Sequence, residues 1–89
     1  METKYSQTFL RDMKKLKQQP IYQQIFALVF TQLPAVNSLR EISDIKPITG
    51  YPHRYRIRMG NYRIGVQINN KVIEVMRVLH RQEFYRYFP

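Results

Sequence analysis

The hydrophobic period of this chain changes once. Up to Leu33 the apolar residues recur at helical spacing; from Arg54 onward they alternate with polar ones. A helix-period half followed by a strand-period half confines the fold to the α+β class. In residues 6–17, Phe9, Met13 and Leu16 fall at i, i+4 and i+7, and Leu10 widens the stripe. Ser6 or Thr8 stands where a helix start is capped. Gln18-Gln19-Pro20 breaks that helix. Pro20 suits the first turn of a second helix, because its missing N–H was unpaired there anyway. The second helix is expected to reach about Leu33, with Ile21, Ile25, Leu28, Val29 and Leu33 as its broad apolar set and Pro34 as its stop. The two helices form an antiparallel hairpin.

Residues 34–53 are expected to be irregular, punctuated by Pro34, Pro47, Gly50 and Pro52, with Leu39, Ile42, Ile45 and Ile48 as anchors to the core. Three strands follow: 54–59, 62–68 and 71–79, with two-residue turns at Gly60-Asn61 and Asn69-Asn70. The first turn sets Met59 against Tyr62, Arg58 against Arg63, Ile57 against Ile64, Arg56 against Gly65 and Tyr55 against Val66. The second sets Val66 against Ile73, Gly65 against Glu74 and Ile64 against Val75. One sheet face is then apolar and takes the helices. The other carries Arg54, Arg56, Arg58, Arg63, Gly65, Gln67 and Glu74, with Met76, Val78 and His80 further along. Directly opposed like charges are unfavourable, so Arg58 against Arg63 calls for an anion. Gly65, in mid-strand, leaves room for a ligand or a backbone to approach. The expected architecture is a helical hairpin on a small twisted antiparallel sheet of three to four strands, and 89 residues hold it as one domain.

The charge follows the same division. Residues 1–44 hold six basic and four acidic side chains; residues 45–89 hold nine basic and two acidic, and most of the excess is arginine. Arginine's planar fork suits bidentate phosphate contact, so the second half points to a polyanionic partner. With no cysteine, the chain has neither a disulfide framework nor a thiolate metal site. That fits a reducing cytoplasm. The longest apolar run, Ile25 to Phe30, is too short to span a bilayer, and no secretory signal is expected behind Met1-Glu2-Thr3-Lys4.

His53 and His80 lie far apart with no acidic ligand motif beside them, so no metal site is expected. Neither a phosphate-binding glycine loop nor a nucleophile elbow is present. Phosphodiester chemistry remains open, because RNA carries its own nucleophile in the 2′-OH. Cleavage needs cations around phosphorus, a base at the 2′-oxygen and an acid at the leaving oxygen. Arg56, Arg58, Arg63 and Arg81 are candidates for the cationic clamp. His80 is a candidate base or acid, since an imidazole is the side chain suited to proton transfer at neutral pH. Tyr85 is a candidate proton donor or stacking platform.

The order and spacing of Tyr55-Arg56-Ile57-Arg58, Gly60-Asn61-Tyr62-Arg63-Ile64 and His80-Arg81-Gln82-Glu83-Phe84-Tyr85-Arg86 resemble the RelE branch of the RelE/ParE toxin superfamily. Phe9 to Leu16 is similar to that family's first helix. The resemblance covers nearly the whole chain, residues 1–89 forming a single RelE-like toxin domain. It implies the toxin of a type II toxin–antitoxin pair: a ribosome-dependent mRNA endoribonuclease working by 2′-OH attack, without metal or cofactor. It implies catalytic roles for Arg56, Arg58, Arg63, His80, Arg81 and Tyr85. RNA contacts fall to Arg54, Arg56, Arg58, Arg63 and Arg86. The implied partners are a cognate antitoxin, mRNA and the ribosome, with no membrane, in the cytoplasm. A non-catalytic, gyrase-inhibiting ParE-like toxin or an inactive RNA-binding relative is the alternative. The initial strand of such proteins is reduced here to Thr3-Lys4-Tyr5 and is expected to be short or missing.

Overall fold

In the computed structural model, which describes all 89 residues, the elements run β1 (Glu2–Tyr5), α1 (Gln7–Lys15), α2 (Tyr22–Ala27), a π-helical turn (Leu28–Gln32), α3 (Leu33–Ala35), a 3-10 turn (Leu39–Glu41), β2 (Ile45–Pro47), β3 (Arg54–Met59), β4 (Tyr62–Asn69), β5 (Val72–His80) and α4 (Phe84–Tyr87). The α+β class and the helical hairpin are as expected. Ser6 caps α1 by accepting the Phe9 N–H. The second helix departs at both ends. Pro20 stays outside it, and Pro34 lies inside its last turn instead of stopping it. The wider π turn just upstream explains this: the Leu33 N–H reaches back to the Leu28 carbonyl. A loosened ladder admits a proline ring that would clash with a regular i−4 carbonyl.

The sheet has five strands in the order β1-β5-β4-β3-β2, and it is mixed, not purely antiparallel, because β1 runs parallel to β5. The two edge strands are β1, of four residues and short as expected, and β2, of three residues, which forms within the stretch 34–53 expected to be irregular. Runs so short carry almost no periodicity. The initial strand is present, and Tyr5 fixes it to the helices. Its ring stands 4.6 Å from that of Phe30, and its hydroxyl donates to the Val29 carbonyl at 2.6 Å. Burial pushes the Tyr5 phenol above its ordinary pKa. At the opposite edge, Lys46 and Pro47 occupy β2, the kind of residues that discourage further pairing.

The β3–β4 register is the expected one, from Met59 opposite Tyr62 to Tyr55 opposite Val66. The β4–β5 register is corrected twice. The turn is Asn70-Lys71, both at positive φ (48° and 65°), so Asn69 pairs with Val72 and Val66 with Val75. This two-residue shift leaves every side chain on its expected face. A bulge between Gly65 and Val66 then sets Gly65 opposite Arg77 and Ile64 opposite Val78. One extra residue reverses the faces. Val78 therefore turns into the core and His80 comes beside Tyr62, both leaving the arginine face where they were expected. The core lies between the helices and the other sheet face, with Phe9, Ile25, Val29, Leu33, Ile57, Ile64, Ile73 and Val75 fully or almost fully buried.

Candidate functional site

The sheet face away from the helices is built from the side chains that alternate with the core. Arg56 and Arg58 come from β3 and Arg63 from β4, with Arg58 and Arg63 directly opposed. The C-terminal segment completes this face. After β5 the chain turns, and the Arg81 N–H donates to the Asn61 carbonyl at 2.7 Å. This ties Arg81 to the β3–β4 turn. The chain then folds back as α4, burying Phe84 and Phe88. Phe88 lies over Gly65: a Cβ there would stand 2.7 Å from its ring. The space that Gly65 leaves is thus filled by the protein's own C-terminus, not held open for a ligand. The exposed side of α4 presents Tyr85, 64% accessible.

Arg63 is the centre of the cluster. Its Nη1 donates to the Gly60 and Tyr62 carbonyls, both at 3.0 Å. Its pKa lies below the ordinary arginine value, first through burial, then through the positive charges of Arg56, Arg58 and Arg81; Tyr85 acts in the opposite sense. Arg63 therefore lies within the reach of these four side chains. The acid paired with this cluster is Asp44, 3.4 Å from Arg58. That pair is over half exposed, and such pairs hold little energy. The positive charge is left for an outside anion.

The remaining expected site residues are distributed around this centre. Arg54 lies at the far end of the face, its Nε donating to Gln67 Oε1 at 2.8 Å and its guanidinium 5.4 Å from the Phe88 ring centre. Arg86 is exposed on α4. His80 is not brought to the arginines. It meets the Tyr62 ring edge-on at 5.4 Å and accepts the Gln82 N–H on Nδ1 at 3.2 Å. It opens to a hollow lined by Asp12 and Lys15 of α1. No cluster of three His, Asp or Glu side chains suited to a metal ion forms.

Two contributions escaped the sequence reading. Lys46 and Tyr51 join Arg56 and Tyr85 around a groove of about 520 Å³. Their stretch has no period, so nothing pointed to its pairing with β3. The other is Asp12. Since β1 covers β5 only as far as Val75, the Val78 N–H has no strand partner, and Asp12 Oδ2 accepts it at 3.1 Å. The same carboxylate binds Arg77 through two contacts of 2.8 and 3.2 Å. Arg77 is thereby taken out of the arginine face, and Tyr87 of α4 rests 5.6 Å from it.

With this geometry in view, residues 3–85 match the family described as the ParE toxin of the type II toxin–antitoxin system parDE. The chain belongs to the RelE/ParE toxin superfamily. Within it, the sequence is 40% identical over 90 residues to Toxin RelE3 of Methanocaldococcus jannaschii, covering all of both chains. The fold is similar to that in a RelB–RelE antitoxin–toxin complex from Methanococcus jannaschii: TM-score 0.79, 42% identity, 97% of this chain and 99% of that one. It is shared at 13% identity by a DinJ–YafQ complex of E. coli, with TM-score 0.75 over 94% and 97% of the two chains. This RelE-like protein is a type II toxin. None of its helices is long and apolar enough to cross a membrane.

Proposed function

We propose that this RelE-like toxin is an endoribonuclease that cuts mRNA on the ribosome by attack of the 2′-OH on the neighbouring phosphorus, without a metal or other cofactor. The observation that carries the reading is the gathering of arginines at one end of the sheet face, Arg58 directly opposite Arg63 and Arg81 tied to the adjoining turn; burial first, and then the charges of Arg56, Arg58 and Arg81, lower the Arg63 pKa. Cations gathered against their own repulsion are suited to a phosphate that gains charge in the transition state. The 2′-OH gives its proton to solvent as the O2′–P bond forms, the P–O5′ bond breaks and the leaving O5′ takes up a proton, leaving a 2′,3′-cyclic phosphate and a 5′-hydroxyl. The arginines stabilise the equatorial oxygens, and Tyr85, beside Arg63, donates to O5′ or stacks on a base. His80, across the sheet, is assigned to positioning: its bond to Gln82 shapes the turn that carries Arg81. Arg54 and Arg86 extend the RNA contact. The proposed protein partner is a cognate antitoxin, and the setting is the cytoplasm.

Induced expression tests this directly. Growth arrest should come with new mRNA 5′ ends in translating cells, and both should be absent for Arg63→Ala. Arrest without new 5′ ends would overturn the nuclease reading and favour a non-catalytic toxin.

A further inference from the structure

The arginine cluster accounts for one phosphate, yet the basic surface continues past it. Lys46 sits directly opposite Arg56 across the β2–β3 pair. Beyond it the chain makes a tight loop that carries Tyr51. The loop is fixed by its backbone: the Tyr51 N–H donates to the Ile48 carbonyl at 3.1 Å, and the Arg54 N–H to the Tyr51 carbonyl at 3.2 Å. Gly50 and His53, on either side, take positive φ of 85° and 68°. So ordered a loop nevertheless leaves the Tyr51 ring 53% exposed. Tyr51 and Tyr85, the latter from α4, both border the groove, and Lys46 and Arg56 supply its cations.

Exposed aromatic rings beside cations are the elements of a single-stranded nucleic-acid site: rings take bases and cations take the phosphates between them. A solvated basic surface has no need of a rigid loop that presents a tyrosine. We propose that Tyr51 and Lys46 form a subsite for a nucleotide flanking the cleaved bond, Tyr51 stacking on its base and Lys46 holding its phosphate. Resting on the nuclease reading, this subsite adds a determinant of which RNA sequences are cut. It lies on the opposite side of Arg56 from Arg63, so it binds RNA without touching the reacting phosphorus. A contact equally good in ground and transition state changes KM and leaves kcat alone.

Single-turnover cleavage on ribosomes programmed with a panel of codons tests this. Thermal melting first verifies that each variant is folded. Tyr51→Ala should raise the half-saturating concentration by on the order of 10-fold at an unchanged maximal rate, as loss of one stacked base implies. It should also flatten the preference at one position beside the cut. Tyr51→Phe, which keeps the ring, should recover both. Lys46→Ala should weaken binding and make it less sensitive to salt. Unchanged affinity and unchanged preference in folded Tyr51→Ala would overturn the subsite while the nuclease reading stands. A wild-type protein that cuts no ribosome-bound mRNA, whatever the codon, would overturn both.

Discussion

Arg63 combines two features that usually exclude each other. It is anchored by two carbonyls of its own hairpin, yet it is surrounded by like charge. Anchoring removes the entropy that a free arginine would lose on meeting a phosphate, and the surrounding charge makes the meeting favourable. Arg63→Ala should therefore lower the cleavage rate by about 10²–10³-fold, the usual effect of losing one transition-state donor. The fold should survive, since the guanidinium serves no core contact. Equal single-turnover rates in the two proteins would remove Arg63 from the chemistry. Tyr5 is the contrasting case, a residue of stability alone. Its raised pKa means that the folded state disfavours the phenolate. The associated stability is intact below the unfolded-state pKa of about 10 and is lost as pH rises beyond it. Tyr5→Phe should cost about 1 kcal/mol at neutral pH through its hydrogen bond to Val29. Denaturant unfolding at pH 7 and pH 10.5 should show the difference from wild type shrinking at the higher pH. A constant difference would mean that the Tyr5 environment does not discriminate between the two forms.

At the scale of elements, the first hairpin was legible because Gly60-Asn61 left a single plausible turn, and with it came Arg56, Arg58 and Arg63 on one face. The second was not. Asn69-Asn70-Lys71 allows a two-residue turn in either of two places, and alternation alone does not choose between them. The bulge is set by neighbours distant in sequence. Ser6 Oγ donates to the Met76 carbonyl at 2.8 Å, just where β1 ends and α1 takes over the edge. Asp12 then occupies the place of the missing strand. No local pattern in residues 71–80 encodes this, so alternation alone puts His80 on the arginine face and carries no sign of Asp12's bond to Val78. Asp12→Ala leaves the Val78 N–H and a half-buried Arg77 without their acceptor. Loss of these bonds should cost roughly 2–3 kcal/mol, read as a lowered urea midpoint at constant m-value. A change within a few tenths of a kcal/mol would show that water replaces the carboxylate. The Gly65–Phe88 contact gives the matching test for α4. Gly65→Ala forces the ring away and should slow cleavage by displacing Tyr85. In a Phe88→Ala background the added methyl should have much less effect. Independent, additive effects would show that the ring does not hold α4 in place.

For the whole molecule, the decisive asymmetry is the net charge of +9 against its distribution. Asp12 of α1 is taken up by Arg77, while on the sheet face the one ion pair, Arg58 with Asp44, is over half exposed and the other arginines have no acidic partner. A protein partner that silences the toxin has two routes. It can lie across Arg56, Arg58 and Arg63, or it can lift the C-terminal segment that bears Tyr85. The second route has to expose Phe84 and Phe88, both almost fully buried, and must supply apolar cover for them. The first meets side chains that are already accessible and short of counter-charge. Covering is therefore the expected mode, by an acidic segment that orders on binding. The affinity of the antitoxin complex should then fall for Arg56→Ala and Arg58→Ala, and its dependence on salt should weaken, because each variant removes a screened charge pair. Deleting residues 84–89 separates the routes. Under covering, the truncated toxin keeps most of its affinity and all of its salt dependence. Displacement predicts the reverse: arginine variants that bind normally, and a truncation that binds more tightly because nothing is left to lift.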